Sequence, residues 1–393
     1  MSAAAWPALG AALAWSLYLP LGAKYAVWLL AVLAALVSMR DAACRRRLQQ
    51  QPLLRPLLLL MGWLALSAVW STAAPPDLAA HLGLYGLWLS VPLLGVVLPM
   101  RAARLALLHF STASAGVALL FVVDHLHRVP PSWLWHSTLF AEGNQRIANS
   151  TLLALGAAIA AWQGVQAVDP RRRLLWLLLA VWIALGLALQ DRRSGMLLLP
   201  LLLLVWSIAR QPSAQRRLML VAIVLAGATL TWQAVDTVNS RFAEGISELR
   251  SYESSDRVAT SWGQRLRMLE LTAQMVREHP WVGQGLASWQ GLWLQRTTPG
   301  TAVHANSTPH NDYLLLTQQG GVVALALLLA VLVTAFRQAL RAGATAVPLL
   351  MVWTALALTA MFNAAMRDAK FSLPLLLLAA VGVALIQAPP DAD

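Results

Sequence analysis

Gly263-Gln264-Arg265-Leu266-Arg267, then His279-Pro280-Trp281-Val282-Gly283-Gln284-Gly285, then Ser307-Thr308-Pro309-His310-Asn311-Asp312-Tyr313 punctuate one long polar stretch, Ser240–Asn311. On either side the chain is a succession of apolar runs. Of its 393 residues 59% are hydrophobic and only 12% charged, where a soluble domain carries roughly 25% charge. The composition therefore predicts an all-α integral membrane protein. The net charge of +12 does not point to nucleic acid, because the basic residues cluster between apolar runs, as topology signals do.

Apolar runs of crossing length, roughly 17–25 residues, fall near 6–22, 24–39, 53–71, 81–99, 104–124, 147–168, 174–190, 194–209, 218–236, 312–335, 346–365 and 371–387. That predicts about twelve transmembrane helices: nine within 1–236, a large mainly helical loop at 237–309, and three more within 310–393. With both termini in the cytoplasm, the basic loops Arg40–Arg55, Arg101–Arg104, Arg171–Arg173, Arg210–Arg217 and Arg337–Arg341 lie inside and the long polar stretch lies outside. The first run lacks a basic leader and reads as an uncleaved helix. The single cysteine, Cys44, sits in a basic inner loop; it excludes an internal disulfide and a cysteine-cluster metal site.

Inside the polar stretch, Trp262, Leu266, Leu269, Ala273 and Val276 recur at three- and four-residue steps and predict an amphipathic helix from about Ser261 to Glu278. Pro280 ends it, and Gly283 and Gly285 supply a turn. About 70 residues is too long for a bare connector, so the stretch reads as a functional lid.

Three features depart from a plain membrane bundle. Asp191-Arg192-Arg193-Ser194-Gly195 is a tight turn on the outer side whose two arginines run against the positive-inside trend; the alternative is a snorkelling pair that anchors helix ends. Arg265, on the amphipathic helix, has the planar, permanently charged fork that suits a diphosphate, or else belongs to a solvated polar face. His310 follows Ser307, Thr308 and Pro309, which suit a helix cap and first turn. The helix dipole there would disfavour imidazolium and leave a neutral ring able to accept a proton. Arg146 and Asn149 open another span on the outer side and are further polar candidates there. No His-x3-His pair or close carboxylate pair occurs in the outer segments, so the sequence predicts chemistry without metal or cofactor.

Taken in order, the Arg-Ser-Gly turn, Arg265, the His279–Gly285 stretch and His310-Asn311-Asp312-Tyr313-Leu314 resemble the O-antigen ligase family, which also takes in O-antigen polymerases and bacterial O-oligosaccharyltransferases. The motifs cover about Asp191–Gly321; the rest matches in hydropathy alone. The resemblance implies a GT-C-like, metal-independent, inverting glycosyltransferase of the bacterial inner membrane, with its active site on the periplasmic face. The donor would be a glycan on undecaprenyl diphosphate and the acceptor a sugar of lipid A–core, in lipopolysaccharide biosynthesis. It further implies His310, Arg265 and Arg193 as catalytic, with Arg192, Arg193, Arg265, Arg146 and Asn311 toward the diphosphate. The turn reads Asp-Arg-Arg-Ser-Gly, so either Arg192 or Arg193 takes the family's place. Polymerase and protein oligosaccharyltransferase share the donor and differ in acceptor. A transporter for the same lipid would call for mid-membrane charges and internal repeats, and the sequence has neither.

Overall fold

The structure is a computed structural model that describes residues 5–127, 132–141, 143–190, 193–210 and 260–387, with scattered positions from 240 to 258. Its helices are α1 (Ala5–Ser16), α2 (Leu21–Ser38), α3 (Ala42–Gln50), α4 (Leu54–Ser67), α5 (Pro75–Gly86), α6 (Ser90–Val97), α7 (Met100–His125), α8 (Trp133–Thr138), α9 (Asn144–Gln166), α10 (Pro170–Leu189) and α11 (Arg193–Arg210). After the polar stretch come α12 (Ser261–Glu278), α13 (Trp289–Arg296), α14 (Asp312–Arg341), α15 (Val347–Thr359) and α16 (Ala369–Gln387). Among the described residues there is no β-strand. Among the described residues six helical spans are long and apolar enough to cross a membrane, which is the make-up of an integral membrane protein.

Twelve crossings are not reached on length and apolarity. The run 6–22 becomes the twelve-residue α1. Runs 194–209 and 346–365 form shorter apolar helices, and α3 with α4 makes a seventh span only if a pair bent by 75° counts as one. The run 147–168 lies in α9, whose first turns are polar. The run 218–236 lies outside the described residues. At the centre of the bundle α9 packs against α7, α10, α11 and α15, while α16 is wrapped by α6, α7 and α15.

The predicted amphipathic helix has the predicted bounds. Thr260 caps α12, its hydroxyl accepting from the Gly263 amide, and His279 ends it. The buried face differs from the one expected. Met268, Leu271 and Met275 are buried with Trp289, Trp293, Val303 and Leu315 in a small core of their own, while Leu266, Leu269, Ala273 and Val276 are only half-buried. The two tryptophans of α13 explain the choice. They stack with centroids 4.8 Å apart, and the Trp289 indole N–H donates to Thr272 Oγ1 at 3.0 Å. That bond sets α12 in the register that turns Thr272 and its neighbours inward.

Beyond α12 the chain docks on a break in α14. Gly321 has φ 68, in the left-handed region, inside an otherwise continuous helix. The break frees backbone groups, and the 280–285 turn satisfies them. Gln284 and Gly285 amides donate to the Gln318 and Gln319 carbonyls at 2.8 and 2.9 Å, and the Val322 amide donates to Pro280 O at 2.8 Å. From α4 the Trp63 indole N–H reaches Gly320 O at 2.7 Å. A Cβ on Gly283 (φ 71) would lie 2.5 Å from the Gln319 carbonyl carbon, and one on Gly321 would overlap Trp281 O. The glycines of the His279–Gly285 stretch are thus explained by backbone approach.

Candidate active site

The start of α14 is clamped to the turn 360–368 that joins α15 to α16. Asn311 caps the helix, its Oδ1 accepting from Leu314 N at 2.9 Å, while its Nδ2 donates to Met361 O at 3.0 Å. The Asp312 amide donates to Ala360 O at 2.9 Å, and its carboxylate accepts from Met366 N at 2.6 Å. His310 therefore lies just before the cap, not in the first turn, and takes φ 52. For an L-residue this left-handed backbone is strained and concentrates at functional positions. Asn311, expected to face the diphosphate, has both ends of its amide engaged, so it positions the helix start.

The His310 ring is held largely out of water, and its Nδ1 is buried without a hydrogen-bond partner. Its pKa is driven down to about 4, first by burial and then by the Arg265 guanidinium; Asp368 opposes the fall and Arg367 adds to it. The ring is neutral, as the sequence reading expects, but the cause is desolvation and arginine charge rather than the helix dipole. Arg265 lies with its Cζ 5.7 Å from the Trp262 ring centroid, and Trp262 meets Phe362 edge-on at 6.2 Å. The first turns of α12 thus hang over the 360–368 turn, and the lid arginine reaches the field of His310.

Sequence reasoning missed Arg367 and Asp368. Asp368 accepts from Asn144 Nδ2 at 3.0 Å and from the Lys370 amide at 3.0 Å, and the buried Lys24 of α2 lies in its field. Arg367 Nη1 donates to His81 Nε2 at 2.8 Å. His81 Nε2 must then be the acceptor, so its Nδ1 carries the hydrogen and donates to Asp77 O at 2.8 Å. The signal that picked out Asp191-Arg192-Arg193 was equally present in Met366-Arg367-Asp368-Ala369-Lys370, a short charged turn between two apolar runs.

The other predicted residues are placed less fully. Arg192 lies outside the described residues, and Arg193 is described only as the first backbone position of α11. Gly195 of that turn is buried where a Cβ would come within 2.7 Å of Ser150 O, which brings α11 close to α9. Arg146 is half-buried on α9, its carbonyl accepting from Gln190 Nε2 at 2.9 Å. Asn149 is fully buried, donating to Thr138 O and accepting from Gln145 Nε2.

A base with a pKa near 4 is unprotonated at neutral pH, and an arriving anion that offsets Arg265 will strengthen it. Turnover as kcat/KM should therefore stay flat from pH 8 to about 5 in the enzyme's limb and fall below that, as His310 protonates. The kcat limb, which reports the bound complex, should lie at higher pH than the kcat/KM limb. A pH–rate series over both parameters checks this; coincident limbs would separate His310 from the anion-binding arginine.

No curated protein matches the chain. Residues 176–329 match the family model described as O-Antigen ligase. That segment opens inside α10, contains Arg193, Arg265 and His310, and ends in α14 beyond the Gly321 break; Arg146, Arg367 and Asp368 fall outside it. Over residues 176–329 the chain is therefore similar to the O-antigen ligase family.

Proposed function

We propose that this protein is an O-antigen ligase: a metal-independent, inverting glycosyltransferase of the bacterial inner membrane, working at the periplasmic face. It moves a glycan from undecaprenyl diphosphate to a sugar hydroxyl of lipid A–core. The observation that carries the reading is a buried, unpartnered His310 Nδ1 lying in the field of the Arg265 guanidinium, within the segment that matches the family.

The acceptor hydroxyl attacks the anomeric carbon of the donor as the bond from that carbon to the diphosphate oxygen breaks. The electron pair leaves with the diphosphate. Arg265, with Arg193 or Arg192 and with Arg146, offsets the charge that develops there, as oriented donors do for a forming anion. His310 takes the hydroxyl proton on the opposite face, so configuration inverts in one displacement. Asn311 and Asp312 hold the base by fixing the helix start on the 360–368 turn.

Arg265→Lys keeps the charge and loses the two-pronged geometry, and should lower transfer by at least about tenfold, the loss of one directional charge-assisted bond of about 1.5–3 kcal/mol. The purified protein is incubated with undecaprenyl-diphosphate glycan and lipid A–core in EDTA. Product that forms in EDTA and drops with Arg265→Lys supports the ligase; elongation of the lipid-linked glycan with no product on lipid A–core makes it a polymerase; transfer at wild-type rate by the Lys variant removes Arg265 from the diphosphate.

A further inference from the structure

Beside the His310 turn lies a cavity of about 500 Å³, walled by the first turns of α5, the start of α13, α14 and Arg367. Its size is that of a small-ligand site. The chemistry of its wall is specific. Gln319 is fully buried, and neither its amide nitrogen nor its amide oxygen has a hydrogen-bond partner. Gln290 Oε1 and Arg367 Nε are likewise buried without one, while Asp77 and His81 complete the polar side and Trp289 the apolar side. Orphaned buried amides are costly and are normally satisfied. Gln319, Gln290 and Arg367 border the cavity, and their unpartnered polar atoms lie beneath its water-accessible surface.

Arg146 and Arg265 do not line this cavity, and the Asp77 carboxylate in its wall repels an anion. The wall instead alternates planar acceptors and donors: a carboxylate, two carboxamides and a guanidinium. Adjacent hydroxyls, each both donor and acceptor, match that set. Arg367 joins the cavity to the base, since it lines the wall and acts on His310 through its charge.

We propose that the cavity bounded by Asp77, His81, Gln290, Gln319 and Arg367 is the subsite for a neutral sugar of the acceptor glycan, holding it on the His310 side of the reaction. The inference rests on the transferase reading above for its link to the reaction, but not for sugar binding itself. Inversion requires the acceptor on the side of the base and the leaving diphosphate on the other. A cavity suited to hydroxyls, joined to His310 through Arg367 and not lined by Arg146 or Arg265, meets that requirement.

Gln319→Leu and Asp77→Asn test it. The Gln319 side chain makes no hydrogen bond, so leucine should leave folding intact; the contacts of that residue with the 280–285 turn use its backbone carbonyl. The full chain in nanodiscs is first mixed, without donor, with core oligosaccharide freed from lipid A by mild acid, and contact is read by saturation-transfer NMR. Transfer kinetics follow with both substrates. The expected result is contact with wild type that is lost in both variants, and an acceptor KM at least tenfold higher with kcat and donor KM within threefold. Equal contact in wild type and both variants, no contact with wild type, or a rise confined to donor KM overturns the subsite. If oligosaccharide contact is lost in the variants yet lipid A–core is never glycosylated, the sugar subsite stands and the ligase reading falls. If lipid A–core is glycosylated with unchanged acceptor KM in both variants, the ligase stands and the subsite falls.

Discussion

His310→Ala should lower glycan transfer by about 10²–10⁴-fold, the contribution of a positioned proton acceptor, in a protein that melts where wild type does. The two halves of this expectation have separate causes. Catalysis fails because the acceptor proton then goes to water or to nothing. Stability survives because the ring makes no hydrogen bond through Nδ1, so its removal strands no partner. His310→Gly sharpens the contrast. Glycine accepts φ 52 without strain, which returns about 1–2 kcal/mol of backbone energy, so this variant should be at least as stable as alanine and equally inactive. Parallel transfer assays and thermal scans in detergent check it. A folded His310→Ala enzyme with near-normal turnover would remove His310 as the base.

Gly283→Ala and Gly321→Ala should be among the most damaging single-methyl additions at the described glycines, alongside Gly285→Ala. Each residue holds a left-handed backbone, and each would drive a Cβ into backbone atoms of the opposing segment rather than into a movable side chain. Left-handed placement costs an L-residue about 1–2 kcal/mol and overpacking adds about 1–3. Gly116→Ala, in α7 with open space around the new methyl, is the control and should be neutral. Thermal scans with limited proteolysis of the 280–310 segment distinguish the outcomes. If Gly283→Ala melts with the control, the junction between the turn and the broken helix does not hold the fold together.

Much of this arrangement is written in local sequence. The bounds of α12 follow from a threonine cap at one end and Pro280 at the other, signals that act within a few residues. Its buried face does not follow, because α12 carries two apolar stripes and a partner beyond the helix, the Trp289–Trp293 stack that meets Thr272 from 17 residues on, selects between them. His310 is legible as a neutral histidine, but its environment is built by Arg265, Arg367 and Asp368 from two other segments. Arg367 and Asp368 were readable by the rule applied to Arg192 and Arg193, and lay unread among apolar runs treated as anchors. The break in α14 was hidden because Gly320-Gly321 sits within a run apolar enough to pass for one unbroken span.

That break also works as a fulcrum. The helix between His310 and Gly321 is a stiff rod of roughly 14 Å, held at its Gly321 end by three backbone hydrogen bonds and the Trp63 indole and at its start by the 360–368 turn. A tilt of about 5° at the pin swings the far end by about 1 Å, and an error of that size at a reacting group can cost about a hundredfold in rate. On the proposed reaction, two glycines far from His310 would thereby set its aim, and the tightness of their fit would be the tolerance to which transfer is held.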